Sequence, residues 1–213
     1  GLDLSTIDYF TSFFPYTISR DVFKTIADFD LPEEKYIRID HHESHATLSY
    51  FLSGFQEDTL AFCVDASGAN GYSSKSYLCK NGNMTYLDGI TTKRKSLGHF
   101  YACLTEFLGF KRLKDEGKIV GLSGHGQYWH DLYDIWKNKA AIEDIAYVGQ
   151  MIFEQKIIEL LNNIRNTYCP LVSKIVLSGG VFANVKLNKK INELPWVSEM
   201  FVVPPMGDEG LPL

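Results

Sequence analysis

The sequence predicts an α/β fold, and three stretches of the chain carry this prediction. Residues 174–203 read as a strand, a Gly-Gly turn, a helix and a second strand, which is the order of elements in α/β proteins. Residues 59–65 form an apolar run typical of a buried strand, and the Asn81-Gly82 pair that follows indicates a β-hairpin. Residues 140–168 carry the longest helical pattern, which ends just before Pro170.

The remaining elements follow from apolar spacing and turn residues. The first 35 residues, 1–35, are rich in aromatic side chains and are expected to be irregular apart from a short helix. Ser96 precedes a helical pattern and can cap it. An inserted loop is expected at 124–145, where Gly, Trp, Tyr and His are frequent. The other predicted elements are helices over 21–28, 43–52, 97–110, 117–123 and 181–191, strands over 36–40 and 199–203, and hairpin strands over 76–80 and 84–87.

Composition excludes several classes of protein. The 213 residues include 14 Phe, 12 Tyr and 3 Trp, far too many aromatic side chains for a disordered chain. No apolar run approaches the ~18 residues of a membrane span, so no membrane association is expected. No leader is expected from the first residues, and the 4 cysteines are scattered without the spacing of a disulfide framework or a zinc ribbon. A reducing cytoplasmic location is therefore predicted.

Charge is unevenly distributed. The 21 Lys and Arg residues against 26 Asp and Glu residues give a net charge of −5, and residues 1–60 alone carry 11 acids and 4 bases. The most basic stretch runs from Lys93 to Lys118. This pattern argues against a general nucleic-acid binder and leaves two readings of the basic stretch, a solvated surface or a site for a small phosphorylated ligand.

Three of the six histidines lie close together in His41-His42-Glu43-Ser44-His45. His41 and His45 are four residues apart, so on a helix their imidazoles project from the same face. Two helical ligands of a divalent metal have this spacing. The alternative is a polar helix start whose histidines only cap the helix and form hydrogen bonds. The cluster alone favours metal or phosphate chemistry.

Three further features lie at predicted strand ends. Gly179 and Gly180 stand between a strand and a helix, where close backbone approach and free N–H groups suit a phosphate, and Asn184 follows them. Asp208 lies in a Gly-flanked loop, and Asp65 ends the apolar run 59–65. A carboxylate at such a position is a candidate metal ligand, although an ordinary turn gives the same pattern.

Lys118 follows a glycine in the charged run 114–118, where one ammonium could face a phosphate. No Walker A motif, Gly-x-Ser-x-Gly elbow, Cys–His nucleophile signature or Rossmann Gly-x-Gly-x-x-Gly occurs in the sequence. These absences weaken assignments as a P-loop kinase, a hydrolase or a dehydrogenase.

Taken in order, several short segments resemble the NodU/CmcH-type O-carbamoyltransferases. They are His41-His42-Glu43-Ser44-His45-Ala46, Ser96-Leu97-Gly98-His99-Phe100-Tyr101, Leu108-Gly109-Phe110, Asp115-Glu116-Gly117-Lys118-Ile119-Val120-Gly121-Leu122, Ser178-Gly179-Gly180-Val181-Phe182-Ala183-Asn184 and Pro204-Pro205-Met206-Gly207-Asp208-Glu209-Gly210. Each segment is weakly specific, but their common order is jointly specific. The resemblance implies an actin-like ATPase fold, shared with sugar kinases, in which two α/β lobes enclose a nucleotide. Residues 36–213 would form this carbamoyltransferase domain.

The resemblance also implies a reaction. Members use ATP and carbamoyl phosphate to form carbamoyl-adenylate in a separate YrdC-like domain. The domain seen here passes the carbamoyl group to a hydroxyl of a small-molecule or saccharide acceptor.

The same resemblance implies the site residues. His41, His45, Asp65 and Asp208 match the metal-binding set, with iron(II) as the expected ion. Gly179, Gly180 and Asn184 match the segment that faces the adenylate. Lys118 matches the segment near its phosphate end, and His42 is expected to contact the ligand; these two are the expected catalytic residues.

The sequence departs from the family pattern at both ends. The opening Gly-rich phosphate hairpin, the closing helix after the Gly-Asp-Glu-Gly loop and the YrdC-like domain are all missing from these 213 residues. The chain is therefore expected to be an incomplete piece of a longer two-lobed enzyme.

Two other functions fit the same segments. One is carbamoyl transfer of the tRNA threonylcarbamoyl type or the hydrogenase-maturation type. A tRNA substrate is disfavoured, because a chain of net charge −5 lacks a broad basic surface. The other is a non-catalytic nucleotide-binding scaffold, which the missing hairpin favours and the four metal-ligand residues oppose.

Overall fold

The computed structural model describes residues 3–12, 14, 16–68, 71–92, 96–128 and 140–210. Its strands are β1 (Phe10–Ser12), β2 (Tyr36–Arg38), β3 (Thr59–Val64), β4 (Tyr72–Lys80), β5 (Asn83–Thr91), β6 (Lys174–Ser178) and β7 (Glu199–Val202). Its α-helices are α1 (Tyr16–Ala27), α2 (His41–Ser53), α3 (Leu97–Phe107), α4 (Glu116–Leu122), α5 (Ile142–Tyr168) and α6 (Val185–Asn192). Short 3-10 turns span Leu4–Thr6, Glu33–Lys35, Gly180–Ala183 and Asp208–Gly210. The predicted α/β class is confirmed.

A five-stranded mixed sheet, in the order β5-β4-β3-β6-β7, forms the centre of the molecule. Strands β3, β4 and β5 form an antiparallel meander, whereas β6 and β7 extend the sheet parallel to β3. Because parallel strands end at the same edge of a sheet, the segments after β3, β6 and β7 meet there. The candidate residues Asp65, Gly179 and Asp208 all follow one of these three strands.

The predicted hairpin is confirmed, with strands longer than the sequence indicated. Asn81 and Gly82 have φ angles of 50° and 77°, the left-handed values that a two-residue hairpin turn requires. The paired strands extend from Tyr72 to Thr91, and buried side chains of β4 lie on both faces of the sheet.

Helices cover both faces of this sheet. Helix α2 packs on one face through Ala46 and Tyr50, against Ala61 and Val176 of the central strands. Helices α3, α4, α5 and α6 cover the other face, which carries the larger core. The members of that core with no more than 1% of their surface exposed are Leu60, Phe62, Ile119, Ala146, Phe153, Ile157, Leu161, Ile175, Leu177, Phe182, Leu187 and Ile191.

The first 35 residues contain regular elements that the sequence did not predict. Strand β1 pairs in parallel with β2 in a separate two-stranded sheet. Helix α1 begins at residue 16, five residues before the predicted start at 21. The rings of Phe10, Phe23 and Phe29 pack together with centroids 5.1–6.2 Å apart, and this contact holds α1 against β1.

Two helix boundaries differ from the prediction for a reason that the structure shows. Helix α2 begins at His41 rather than at residue 43, because the Asp40 side chain accepts from the N–H groups of His42 and Glu43. The predicted helix over 181–191 is divided at Asn184. This side chain caps α6 by accepting from the N–H of Leu187, so the residues before it form only a 3-10 turn.

The predicted helices over 97–110, 117–123 and 140–168 are confirmed within three residues at each end. Of the inserted loop expected at 124–145, residues 129–139 lie outside the described ranges, and residues 142–145 belong to α5. Among the described helices, none has the length and apolar character needed to cross a membrane.

Candidate metal centre and adjoining cavity

The three clustered histidines occupy the first turns of α2 and are all buried. His41, His42 and His45 expose 3%, 1% and 0% of their surface, since this end of the helix lies against the carboxyl ends of the central strands. His41 and His45 lie one turn apart and meet edge to face, with ring centroids separated by 4.9 Å and an interplanar angle of 78°. The predicted common face of these two imidazoles is therefore present.

Asp40 fixes the start of this helix and pairs with a buried cation. Its Oδ1 accepts from the His42 and Glu43 N–H groups at 3.1 Å, and its Oδ2 lies 2.7 Å from the Lys75 ammonium. Lys75 comes from the neighbouring strand β4 and packs over the Tyr72 ring. Both charged side chains are about 85% removed from solvent, so the pair ties the histidine-bearing end of α2 to the sheet.

Replacing Asp40 by alanine is expected to lower the free energy of unfolding by about 2–3 kcal/mol, because the helix cap is lost and the Lys75 ammonium is left without this partner. Asp40→Asn is expected to cost about 1 kcal/mol less than Asp40→Ala, since the amide oxygen can still cap the helix. Urea denaturation of both variants measures the difference. Equal destabilisation by the two substitutions would contradict the capping role.

Two carboxylates complete the cluster around His41 and His45. The Nε2 atoms of both histidines lie 3.7 Å from Oδ2 of Asp65, and they lie 3.6 and 3.4 Å from Oδ1 of Asp208. One potential ligand atom from each of the four residues lies within 4.8 Å of the other three. Three separate parts of the chain thus bring the four predicted metal ligands together.

This arrangement fits a divalent metal ion better than a set of ion pairs. Ligands about 2.1 Å from a common tetrahedral ion are about 3.4 Å from one another, close to the observed separations. Neither ring nitrogen of the fully buried His45 has a hydrogen-bond partner, which is rare for buried polar atoms in native proteins. Two imidazoles and two carboxylates suit iron(II), zinc or manganese(II).

Asp65 connects the candidate metal ligands to the adjoining cavity. It follows β3, with its Oδ2 toward the two histidines and its Oδ1 accepting from the Ala66 N–H at 2.7 Å. Burial acts to raise the pKa of this carboxyl, but the nearby His41 imidazole and the Ala66 N–H outweigh it, so the pKa lies below its usual value. The Gly180 N–H approaches Oδ2 at 3.4 Å.

Asp208 reaches the cluster through the loop after β7. The Gly179 N–H donates to the Met206 carbonyl at 2.8 Å and thereby fixes this loop beside the end of β6. Gly179 has φ +93°, and a Cβ at this position would lie 2.2 Å from the Val64 carbonyl oxygen. The glycine lets the three strand ends approach closely. The Asp208 side chain is 64% exposed, unlike the other three ligands.

A cavity of about 310 Å³ adjoins the cluster and shares Asp65 with it. Its volume lies at the lower end of the range of small-molecule sites. The lining comes from the strand ends, the start of α3, the turn before α4 and the 3-10 turn after β6. The lining residues are Asp65, Ala66, Gly98, Tyr101, Ala102, Leu113, Lys114, Glu116, Gly117, Val120, Phe153, Gly180, Val181, Ala183 and Asn184.

Of the three residues that the family resemblance assigns to the adenylate, two line the cavity and one does not. Gly180 and Asn184 line the cavity, whereas Gly179 lies beneath it against Val64. The Asn184 amide is engaged inside the protein, because it exchanges two hydrogen bonds of 2.9 Å with Gln150 of α5 in addition to capping α6. This network holds the cavity wall in place.

The two residues expected to be catalytic lie outside the cavity lining. The Lys118 ammonium lies 3.0 Å from Asp115 and over the Phe110 ring. His42 packs against Gly68, whose Cβ position would lie 2.3 Å from His42 Cε1, and beside the His41 ring. Burial, followed by the neighbouring His41, lowers the pKa of His42 to about 4.

Sequence reasoning missed several cavity residues. Tyr101 and Phe153 face each other with ring centroids 4.6 Å apart, and nothing in the helical pattern distinguished them from ordinary core residues. Lys114 lies in the charged run 114–118, and nothing in that run marked it as a cavity residue. A signal did exist for Gln150 and Glu154, which lie outside the lining: they are polar residues four apart on α5, are 3% and 4% exposed, and Gln150 bonds to the lining residue Asn184.

The sequence matches the profile of the family described as Carbamoyltransferase N-terminus over residues 11–138 and 127–212. Among curated relatives, it is 32% identical to the uncharacterized protein MJ1051 of Methanocaldococcus jannaschii, over 84% of this chain and 40% of that protein. It is 24% identical to the nodulation protein NolO of Bradyrhizobium diazoefficiens, over 82% of this chain and 37% of NolO. The chain thus spans well under half the length of these relatives.

Solved structures are similar in fold at low sequence identity. Full-length HypF in its phosphate- and nucleotide-bound form has a TM-score of 0.61 and 15% identity, over 88% of this chain and 43% of HypF. The activator of 2-hydroxyisocaproyl-CoA dehydratase from Clostridium difficile, with bound ADPNP, has a TM-score of 0.59 and 15% identity, over 96% of this chain and 70% of the activator. These similarities confirm the actin-like ATPase fold.

Proposed function

Because the chain belongs to the carbamoyltransferase N-terminus family, we propose that it transfers a carbamoyl group from carbamoyl-adenylate to a hydroxyl group of a small-molecule or saccharide acceptor. The adenylate would be made from ATP and carbamoyl phosphate in a YrdC-like domain of the full protein. In the transfer, the acceptor oxygen forms a bond to the carbamoyl carbon, and the bond between that carbon and the phosphate oxygen of AMP breaks. The hydroxyl proton is lost to water, so the products are the carbamate ester and AMP.

One observation carries this proposal. Four metal-ligand side chains converge from α2 and from the segments after β3 and β7, and one of them, Asp65, also lines the adjoining cavity. A ligand in the cavity would therefore lie next to the metal centre. Neither a plain scaffold nor an ordinary surface turn needs this combination of buried imidazoles and carboxylates.

His41, His45, Asp65 and Asp208 would hold the ion, which we propose is iron(II). The chemistry that a divalent ion supplies there is Lewis-acid polarisation of the carbamoyl or phosphoryl oxygen. The residues of the chain position the reactants, and this positioning lowers the barrier further. The Gly180 N–H and Asp65 orient the ligand at the strand ends, while Tyr101, Val120 and Phe153 exclude water from the cavity.

His42 and Lys118 act in this proposal through their neighbours. The His42 ring packs edge to face against the His41 ring and so supports it, and Gly68 packs against the His42 ring. Lys118 holds Asp115, which in turn fixes the segment that contributes Lys114 to the cavity. Among the described residues of the lining, Lys114 is the cation, and it suits the phosphate of the adenylate.

Metal-dependent nucleotide binding is the expected result that tests the proposal. Calorimetric titration of the protein with ATP in the presence of iron(II) or manganese(II), under anaerobic conditions for iron, should give saturable one-site binding that a chelator abolishes. The full protein, given ATP, carbamoyl phosphate and a panel of hydroxylated acceptors, should form AMP faster when the acceptor is present. Absence of nucleotide binding in the presence of either metal would refute the proposal. ATP binding without acceptor-dependent AMP formation would instead indicate a nucleotide-binding scaffold.

A further inference from the structure

Leu113 is an apolar residue that stands in an exposed, left-handed turn at the edge of the cavity. Its φ angle is +59°, its side chain is 69% exposed, and it belongs to the cavity lining. A leucine in this conformation is less stable than a glycine would be, because its Cβ crowds the following carbonyl group. An apolar side chain that is both exposed and strained points to a contact with a ligand.

Two carboxylates hold this turn in its conformation. The Glu116 Oε1 accepts from the Leu113 N–H at 2.6 Å, and the Asp115 Oδ2 accepts from the Lys111 N–H at 3.0 Å. Lys118 pairs with the other oxygen of Asp115 at 3.0 Å. The Lys118 bond, followed by the bond from the Lys111 N–H, holds the pKa of Asp115 below its usual value, so this carboxyl stays ionised at neutral pH. The turn is thus fixed by side-chain bonds to the N–H groups of Lys111 and of Leu113 itself.

The cavity has a polar part and an apolar part. Asp65 and the Gly180 N–H form a polar part next to the candidate metal ligands, and Lys114 and Glu116 add two charged side chains to the lining. Val120 of α4 and Phe153 of α5 form the apolar part of the lining. A nucleotide has the same division, since its phosphates carry the charge and its base presents two apolar faces.

We propose that Leu113 packs over the base of the bound nucleotide and covers the face that would otherwise meet water, an inference that rests on the proposed function. The phosphate end then points toward Asp65 and the metal ligands. On this view Asp115 and Lys118, which lie outside the cavity lining, are positioning residues that fix the turn. Glu116 also fixes the turn through the Leu113 N–H, and it is itself part of the lining.

Affinity for ATP, compared with affinity for inorganic triphosphate, tests the proposal in a set of three variants. Leu113→Gly removes the side chain and relieves the backbone, so we expect an unchanged or higher melting temperature together with about tenfold weaker ATP binding. Leu113→Met keeps an apolar side chain and should bind ATP like the wild type. Asn81→Gly relieves a similar left-handed residue in the β4–β5 turn, with φ 50°, and should leave ATP binding unchanged. Binding of triphosphate should be the same in all four proteins.

The outcomes separate this inference from the proposed function. If the wild type binds ATP and Leu113→Gly binds it equally well, Leu113 does not cover the base and only this inference is overturned. If Leu113→Gly weakens the binding of ATP and of triphosphate by the same factor, the contact is not with the base and the inference is overturned. The inference is also overturned if Leu113→Met binds ATP as weakly as Leu113→Gly does. If the wild type binds no ATP, the proposed function fails and the inference fails with it.

Discussion

Replacing His45 by alanine is expected to abolish binding of a divalent metal at the proposed centre and, with it, the proposed carbamoyl transfer. His45 is fully buried, and its Nε2 lies 3.7 and 3.4 Å from the carboxylate oxygens of Asp65 and Asp208, which places it at the centre of the four-residue cluster. Groups that only support a metal ligand already contribute about 10–100-fold to affinity, so loss of a direct ligand should cost more than about 100-fold. Elemental analysis of the purified protein measures the metal content.

Asp208→Asn separates loss of metal from loss of fold. The Asp208 side chain is 64% exposed, so its conversion to an amide should leave the melting temperature of the metal-free protein within a degree or two of the wild type. The metal content should still fall, because the amide carries no charge and is a weaker ligand. His125→Ala, at an exposed histidine away from the cluster, is the control and should retain full metal content. Wild-type metal content in both His45→Ala and Asp208→Asn would refute the metal centre.

Gly179→Ala is expected to destabilise the protein by about 3 kcal/mol or more. The added Cβ would lie 2.2 Å from the Val64 carbonyl oxygen, and the backbone φ of +93° is one that an alanine rarely adopts. Relief of the clash requires β6 to move away from β3, which also displaces Asp65 and the Met206 carbonyl to which Gly179 donates. Urea denaturation should therefore show a lower midpoint, and the surviving folded protein should bind metal more weakly.

Gly121→Ala is the matched control for this substitution. Gly121 lies in α4 with nothing within 4 Å of its Cβ position, and alanine favours a helix over glycine by up to about 1 kcal/mol. The expected result is therefore a small increase in stability with unchanged metal affinity. If Gly179→Ala were as stable as Gly121→Ala, the close approach of the two strand ends would not constrain this position.

Elements that depend on local chemistry were predictable from the amino-acid sequence. The Asn81-Gly82 hairpin was predictable, because only a few residues adopt its two left-handed positions. The common face of His41 and His45 was predictable because a helix places residues four apart on one side. Asp40 and Ser96 lay just before helical patterns, although only Ser96 was recognised as a cap.

Tertiary structure alone decided which distant residues meet. Asp65 and Asp208 are 143 positions apart in the sequence, and they meet at the histidines because β3, β6 and β7 lie side by side in parallel and end at one edge of the sheet. No local pattern fixes that strand order; the resemblance to a family supplied the pairing. The same holds for Asn184 and Gln150, whose hydrogen bonds require α5 to pack beside α6. Propensities act over one or two turns, whereas a site assembled from several elements depends on how the whole core packs.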